Sequence, residues 1–287
     1  MKIKEILAQK KSGVSLEFFP PKTAAGREGF MKTVHELKRY DPLFVSVTCS
    51  PGSSTHERTV NAMTWIRQET DLTAMAHLTC IGASRASIDA VLGEYIRIGI
   101  ENILALRGDP PRDVPDFDPS RGEFTHARDL VTLAVKYNAF SIAVAVYPES
   151  HGESPSLEKD IEFTKMKVDA GADFAISQMF FDNKYFYEYR EKAVKAGITI
   201  PVLPGMMPAT DCRKIEEFAN FCNATIPDAV RKKMQAVQDK PDEMRKIGIG
   251  FAIQQCEDLR EQGVKFLHFY TMNRPAVVAE ILKALGK

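Results

Sequence analysis

Long apolar runs are missing from this chain of 287 residues. No stretch reaches the ~20 apolar residues that cross a bilayer, so no membrane span or membrane partner is expected. The N-terminal MKIKEILAQKKSGVSLEFFPP lacks the apolar centre of a secretory leader. An excess of either charge is missing too, since 38 Lys and Arg balance 38 Asp and Glu. That balance excludes the basic surface a nucleic-acid partner would need. Cysteine is sparse and unpatterned: Cys49, Cys80, Cys212, Cys222 and Cys256 form no CxxC pair. A disulfide framework is not expected, and the thiols read as packed side chains. Six histidines occur singly, without HExxH or a His/Cys cluster, so no metal is assigned. No GxGxxG follows the first β-rich run, which argues against a doubly wound dinucleotide fold. What remains is a cytoplasmic chain, 44% hydrophobic, able to bury a large core.

One pattern is present eight times: a short β-rich run, a loop with Gly, Pro, Asn or Asp, then a helical stretch. The runs are Val14–Phe19, Phe44–Cys49, Ala74–Cys80, Ile103–Asp109, Ser141–Tyr147, Phe174–Phe181, Ile200–Met207 and Phe266–Asn273. Between them, apolar residues recur at three- and four-residue steps, as Phe30, Val34 and Leu37 do within Phe30–Tyr40. Gly99, Gly171, Gly197 and Gly263 are expected helix C-caps, and Ser156 and Asp211 expected N-caps. A longer helical insert, roughly Asp211–Gln262, breaks at Pro227 and Pro241. Eight βα units predict a closed (β/α)8 TIM barrel, one domain over residues 1–287, with extra helices between strands seven and eight.

Residues two apart on a barrel strand share a side. Glu17 is in phase with Ser15, Thr48 with Ser46, His77 with Thr79, Arg107 with Asp109, Gln178 with Phe180, and His268 with Tyr270. The opposite phase is mostly Leu, Ile, Val and Ala. Polar groups therefore gather near the C-terminal strand ends, where barrel enzymes place their chemistry. Each has a bland alternative. Glu17 is either half of a structural ion pair, with Arg107 as partner, or a functional carboxyl. His77 alone could be a satisfied core histidine, and Gln178 could merely bond backbone. Asp109 is harder to dismiss, because LRGDPP ends a strand and runs straight into a proline turn.

In chain order the strand ends read SLEFFPPKT, FVSVT, AHLTC, LALRGDPP, AVYPESH, DAGADFAISQMFFD, PVLPGMMP and HFYTMNRP. Together they resemble the methylenetetrahydrofolate reductases of one-carbon and methionine metabolism, over nearly the whole chain. The resemblance implies a flavoprotein oxidoreductase that holds FAD. Hydride would pass by ping-pong kinetics from NADH or NADPH to 5,10-methylenetetrahydrofolate, giving 5-methyltetrahydrofolate. By that resemblance Glu17 matches the general acid, which must hold a proton near neutral pH for the leaving N10. Asp109 matches the aspartate between flavin and pterin. Thr48, His77, Arg107, Gly108, Ala127, Tyr147, His151, Asp160 and Lys167 align with cofactor contacts, Lys167 as a phosphate partner. Gln178, Phe218 and Arg274 align with contacts to folate or nicotinamide. Phe163 and Met166 depart from the pattern, standing where bacterial members carry polar cofactor contacts, and Cys49 stands where a tyrosine is common. The resemblance also implies a homo-oligomer, with a redox partner protein as an alternative donor, and no regulatory domain within these residues. Two other readings stay open: a folate reductase without flavin, and a partner-dependent subunit of a larger one-carbon complex.

Overall fold

A computed structural model describes residues 1–49, 53–110, 117–118 and 122–287, without the side chains of 53–55. Its eight strands are β1 (Gly13–Phe18), β2 (Phe44–Val47), β3 (Ala74–Thr79), β4 (Asn102–Leu106), β5 (Ser141–Val146), β6 (Phe174–Met179), β7 (Val202–Met206) and β8 (Phe266–Tyr270). They run parallel in sequence order, and β8 pairs with β1 to close the barrel, Gly13 opposite Phe266 and Glu17 opposite Tyr270. All eight expected runs are strands. The ladders stop short of the expected C-terminal ends, leaving the last residues of each motif to the loops.

The described helices are α1 (Ile3–Gln9), α2 (Arg27–Lys38), α3 (Ser53–Glu69), α4 (Arg85–Arg97), α5 (Ala127–Val135), α6 (Leu157–Asp169), α7 (Asn183–Lys195), α8 (Cys212–Phe221), α9 (Asp228–Gln235), α10 (Pro241–Glu261) and α11 (Pro275–Ala284). The four expected C-cap glycines take left-handed φ values of 77° to 116°. Ser156 and Asp211 cap α6 and α8, each side chain accepting an N–H three residues on. The insert holds α8, α9 and α10, with Pro227 immediately before α9 and Pro241 opening α10. None of these helices is long and apolar enough to cross a membrane.

Alternation divides the core in two. Val14, Leu16, Val45, Val47, Ile103 and Val144 face the helix layer. Phe44, Met75, Leu104, Ala143, Phe174 and Leu203 fill the lumen, joined by Ile3 and Leu7 of α1. Helix α1 caps the N-terminal end of the barrel. The Ile3 N–H donates to Asn102 Oδ1 at 2.7 Å, and the Lys4 N–H to Ser141 Oγ at 3.2 Å, both at strand starts. The lumen is thus plugged at its N-terminal end, opposite the end where barrel enzymes place their sites.

Two phase expectations fail. Gln178 does not share a side with Phe180, because a bulge shifts the β6–β7 register between Ile176 and Met179. Phe180 turns into the helix layer and stacks on Phe186, ring centroids 5.4 Å apart. Arg107 and Asp109 belong by alternation to the outward phase of Ile103 and Ala105. They leave it only because β4 ends at Leu106 and Gly108 turns the chain at φ 86°.

Candidate active site

The closing seam between β1 and β8 carries a buried carboxyl. Glu17 is 7% exposed. His268 Nε2 lies 3.3 Å from Glu17 Oε2, and His77 Nε2 approaches the same oxygen at 3.4 Å, off the hydrogen-bond direction. On its other side, His268 Nδ1 shares a 2.8 Å hydrogen bond with the Ser15 hydroxyl. Burial pulls the His77 pKa from 6.5 down to about 4, against the raising influence of Glu17, so this imidazole is neutral at physiological pH. Arg107 is not the partner of Glu17. It makes a two-pronged pair with Glu153, at 2.5 and 2.7 Å, across the β5–α6 loop.

The backbone beneath Glu17 is fixed from β8. Thr271 donates to the Glu17 carbonyl from its N–H at 3.2 Å and its hydroxyl at 2.5 Å. Two residues further, Asn273 sits at φ 52° with its side chain against Phe19: Oδ1 accepts the Phe19 N–H at 3.0 Å, and Nδ2 donates to the Phe19 carbonyl at 2.9 Å. Asparagine tolerates this left-handed backbone better than most residues. SLEFFPP and HFYTMNRP are therefore two halves of one structure.

Across the barrel from this seam a cleft of about 380 Å³ opens where the β4–β5 ladder stops, at Ala105 opposite Val144, and runs outward between α5 and α6. Its volume is ordinary for a small-molecule site. Arg107, Ala127, Tyr147, His151, Asp160 and Lys167, six of the residues expected to contact a cofactor, come together along it. Asp160 is 5% exposed. Its Oδ1 accepts from the Ser154 hydroxyl at 3.0 Å, while Oδ2 is buried without a partner. Desolvation raises the Asp160 pKa, against the lowering effect of Lys167. Burial lowers the Lys167 pKa from 10.5 to about 8, and its Nζ donates to the Ala145 carbonyl at 2.6 Å. The Tyr147 ring meets His151 edge-on, centroids 4.7 Å apart. An unsatisfied buried acceptor is expensive unless a ligand supplies the missing hydrogen bond. With a cation beside it, the cleft suits a hydroxylated, anionic ligand.

The remaining sequence candidates lie outside this cleft. Thr48 takes a backbone role, its N–H donating to the Phe18 carbonyl at 2.9 Å. Gly108 packs against Thr79 and Ile81, and Asp109 is exposed at the barrel mouth. Gln178 Oε1 accepts the Met179 N–H at 2.9 Å, so that end of the amide bonds backbone. Phe218 and Arg274 line a second hollow of about 190 Å³ on the β7–β8 side, together with Lys214. Sequence reading missed Glu153, Ser154, Thr271 and Asn273. His268 stood out only by phase, and its bond to Ser15 had no local signal. Among the described residues, no group of three or more His, Cys, Asp or Glu could hold a metal.

A family model for methylenetetrahydrofolate reductase matches residues 2–286. The chain belongs to the methylenetetrahydrofolate reductase family. A 5,10-methylenetetrahydrofolate reductase of Pectobacterium carotovorum subsp. carotovorum is 35% identical over 280 residues, covering 97% of this chain and 91% of that protein. The enzyme of Escherichia coli (strain K12) is 36% identical over 274 residues, 95% and 90% of the two chains. Among solved structures, a Clostridium thermocellum protein described as binding two copies of 5-methyl-5,6,7,8-tetrahydrofolic acid superposes with a TM-score of 0.66. It is 11% identical and covers 98% of this chain and 96% of its own, a likeness of fold alone. Membership in the reductase family makes this barrel an oxidoreductase of folate one-carbon metabolism.

Proposed function

We propose that this barrel reduces 5,10-methylenetetrahydrofolate to 5-methyltetrahydrofolate, with FAD in the β4–β5 cleft and NADH or NADPH as donor. The observation that carries this reading is Glu17, a buried carboxyl held by His268 of β8 and approached by His77 of β3. Ring opening of the substrate needs a proton on N10, and Glu17 is the carboxyl assigned to deliver it. Ser15, through His268, orients Glu17 Oε2, leaving Oε1 for the proton. Once N10 is protonated the imidazolidine opens to a 5-iminium cation, for which Asp109 is a suitably placed anion at the mouth.

Asp160, Lys167 and Arg107 would hold the cofactor: Asp160 Oδ2 toward sugar hydroxyls, and the two cations toward phosphate and the flavin edge. The chemistry FAD supplies when bound is a two-electron transfer, hydride taken from a reduced nicotinamide and handed on to the one-carbon unit. Gln178, Phe218 and Arg274 are assigned to substrate, Phe218 to the aminobenzoyl ring and Arg274 to the folate tail. The same reading takes residues 1–287 as one cytoplasmic catalytic unit and as a homo-oligomer.

Anaerobic half-reactions test it. The purified protein should bind FAD, bleach with NADH or NADPH, and recover its colour on adding methylenetetrahydrofolate. Glu17→Gln should abolish the recovery and spare the bleaching. Equal loss of both steps would remove Glu17 from the acid role, and a folded chain that accepts no flavin would sink the whole reading.

A further inference from the structure

Helix α6 presents an inverted stripe to the cleft. Asp160, Phe163 and Lys167 are spaced three and four residues apart and so share one face, with Met166 beside them. All four line the cleft. The polar members are the sheltered ones. The apolar members are open, Phe163 at 38% and Met166 at 43% exposure. Solvent-exposed aromatic and thioether surface at the rim of a polar cleft costs hydration, and such patches mark ligand contacts. One face of the Phe163 ring is approached by Lys159 Nζ, 5.4 Å from its centroid. Neither Phe163 nor Met166 carries a hydrogen-bonding group of useful strength, so whatever covers them is held by its face and not by its edge.

The stripe therefore calls for a ligand with an anionic, hydroxylated middle and a flat aromatic end. Resting on the assignment of FAD to this cleft, we propose that Phe163 and Met166 form the platform for the dinucleotide's base. They would bind it by stacking and leave its hydrogen-bonding edge unread. This chain would then discriminate FAD from FMN through an apolar face, while remaining indifferent to which purine the dinucleotide carries.

Flavin titrations of the full chain, stripped of cofactor and followed by flavin fluorescence, test this without turnover. The probes are FAD, FMN, and the FAD analogue carrying hypoxanthine in place of adenine. Base stacking on an aromatic ring is worth roughly tenfold in affinity. Phe163→Ser should weaken FAD by about that factor and leave FMN unchanged, Phe163→Tyr should restore FAD binding, and the hypoxanthine analogue should match FAD on the wild-type chain. Both positions are exposed, so the variants should melt like the parent. Unchanged FAD affinity in Phe163→Ser overturns the proposal, as does a tenfold preference for adenine over hypoxanthine. A Phe163→Ser effect on self-association alone would make the rim a contact between copies and equally overturns it. Equal binding of FAD and FMN by the wild type would reject the platform but leave the flavin assignment standing. If neither binds, the functional reading fails first.

Discussion

Asn273 offers a sharp test of how the acid site is held. Replacing it with alanine removes two hydrogen bonds to Phe19 and puts at φ 52° a residue without asparagine's tolerance of that backbone. The left-handed backbone costs an ordinary residue at least about 1 kcal/mol, and each lost bond about 0.5–1.5 kcal/mol. Phe19 is 42% exposed, so its freed backbone groups can reach water, which favours the lower values. Asn273→Ala should then lose about 2–3 kcal/mol. Asn273→Gly loses the same bonds without the backbone strain and should be about 1 kcal/mol more stable than the alanine variant. Urea titration of the three proteins with a common slope measures both differences. The half-reaction that depends on Glu17 should fall in both variants, while cofactor reduction by the donor stays near wild type. Alanine as stable as glycine would refute the left-handed conformation. Two variants as stable as the parent would refute the staple itself.

Three further outcomes follow from buried groups. His77 has a folded pKa of about 4 against 6.5, so the unfolded chain binds a proton that the folded one refuses. Stability should fall as pH drops from 6.5 toward 4, and His77→Asn should flatten that slope by at most about 1.4 kcal/mol per pH unit; an unaltered slope would place the imidazole in contact with solvent. Lys167, at about 8 against 10.5, works at the other end: the wild type should gain stability relative to Lys167→Met as pH rises from 8 to 10.5, and a flat difference would show that the amine is not buried. Gly248 on α10 lies against the backbone of Ala209 and Thr210 with no room for a Cβ, whereas nothing lies within 4 Å of the corresponding point at Gly250. Gly248→Ala should lose about 1–3 kcal/mol and Gly250→Ala should be neutral or gain up to about 1 kcal/mol; similar melting points for the pair would contradict this packing.

The sequence was most legible where local chemistry decides the outcome. Ser156 and Asp211 as caps, the glycines after helices and the two prolines of the insert each act within a few residues, and each is where it was expected. Period-two alternation separated Glu17, Ser46, His77 and His268 from the outward residues of β1, β2, β3 and β8. It broke at Gln178, because a bulge is a property of two strands and not of one. It misled at Arg107 and Asp109, because alternation was carried past the end of β4. The cleft residues were legible through resemblance to a family, not through pattern. Glu153 and Asn273 were not legible at all. Their partners lie 46 and 254 residues away, and nothing in a local window announces such a contact.

The β1–β8 seam also dictates when the protein can first work. Glu17 is made early by a ribosome, but its ring partner His268 and its backbone anchors Thr271 and Asn273 emerge about 250 residues later. Until they arrive, the carboxyl sits on an unpaired edge strand, solvated and without orientation. Helix α1 waits as well, since its contacts at Asn102 and Ser141 lie 99 and 137 residues downstream. A nascent or truncated chain that has assembled the β4–β5 cleft still lacks an oriented Glu17, the proton donor proposed above. On the proposed roles, cofactor capture precedes competence for folate, and the β1–β8 ladder is the one that supplies the acid.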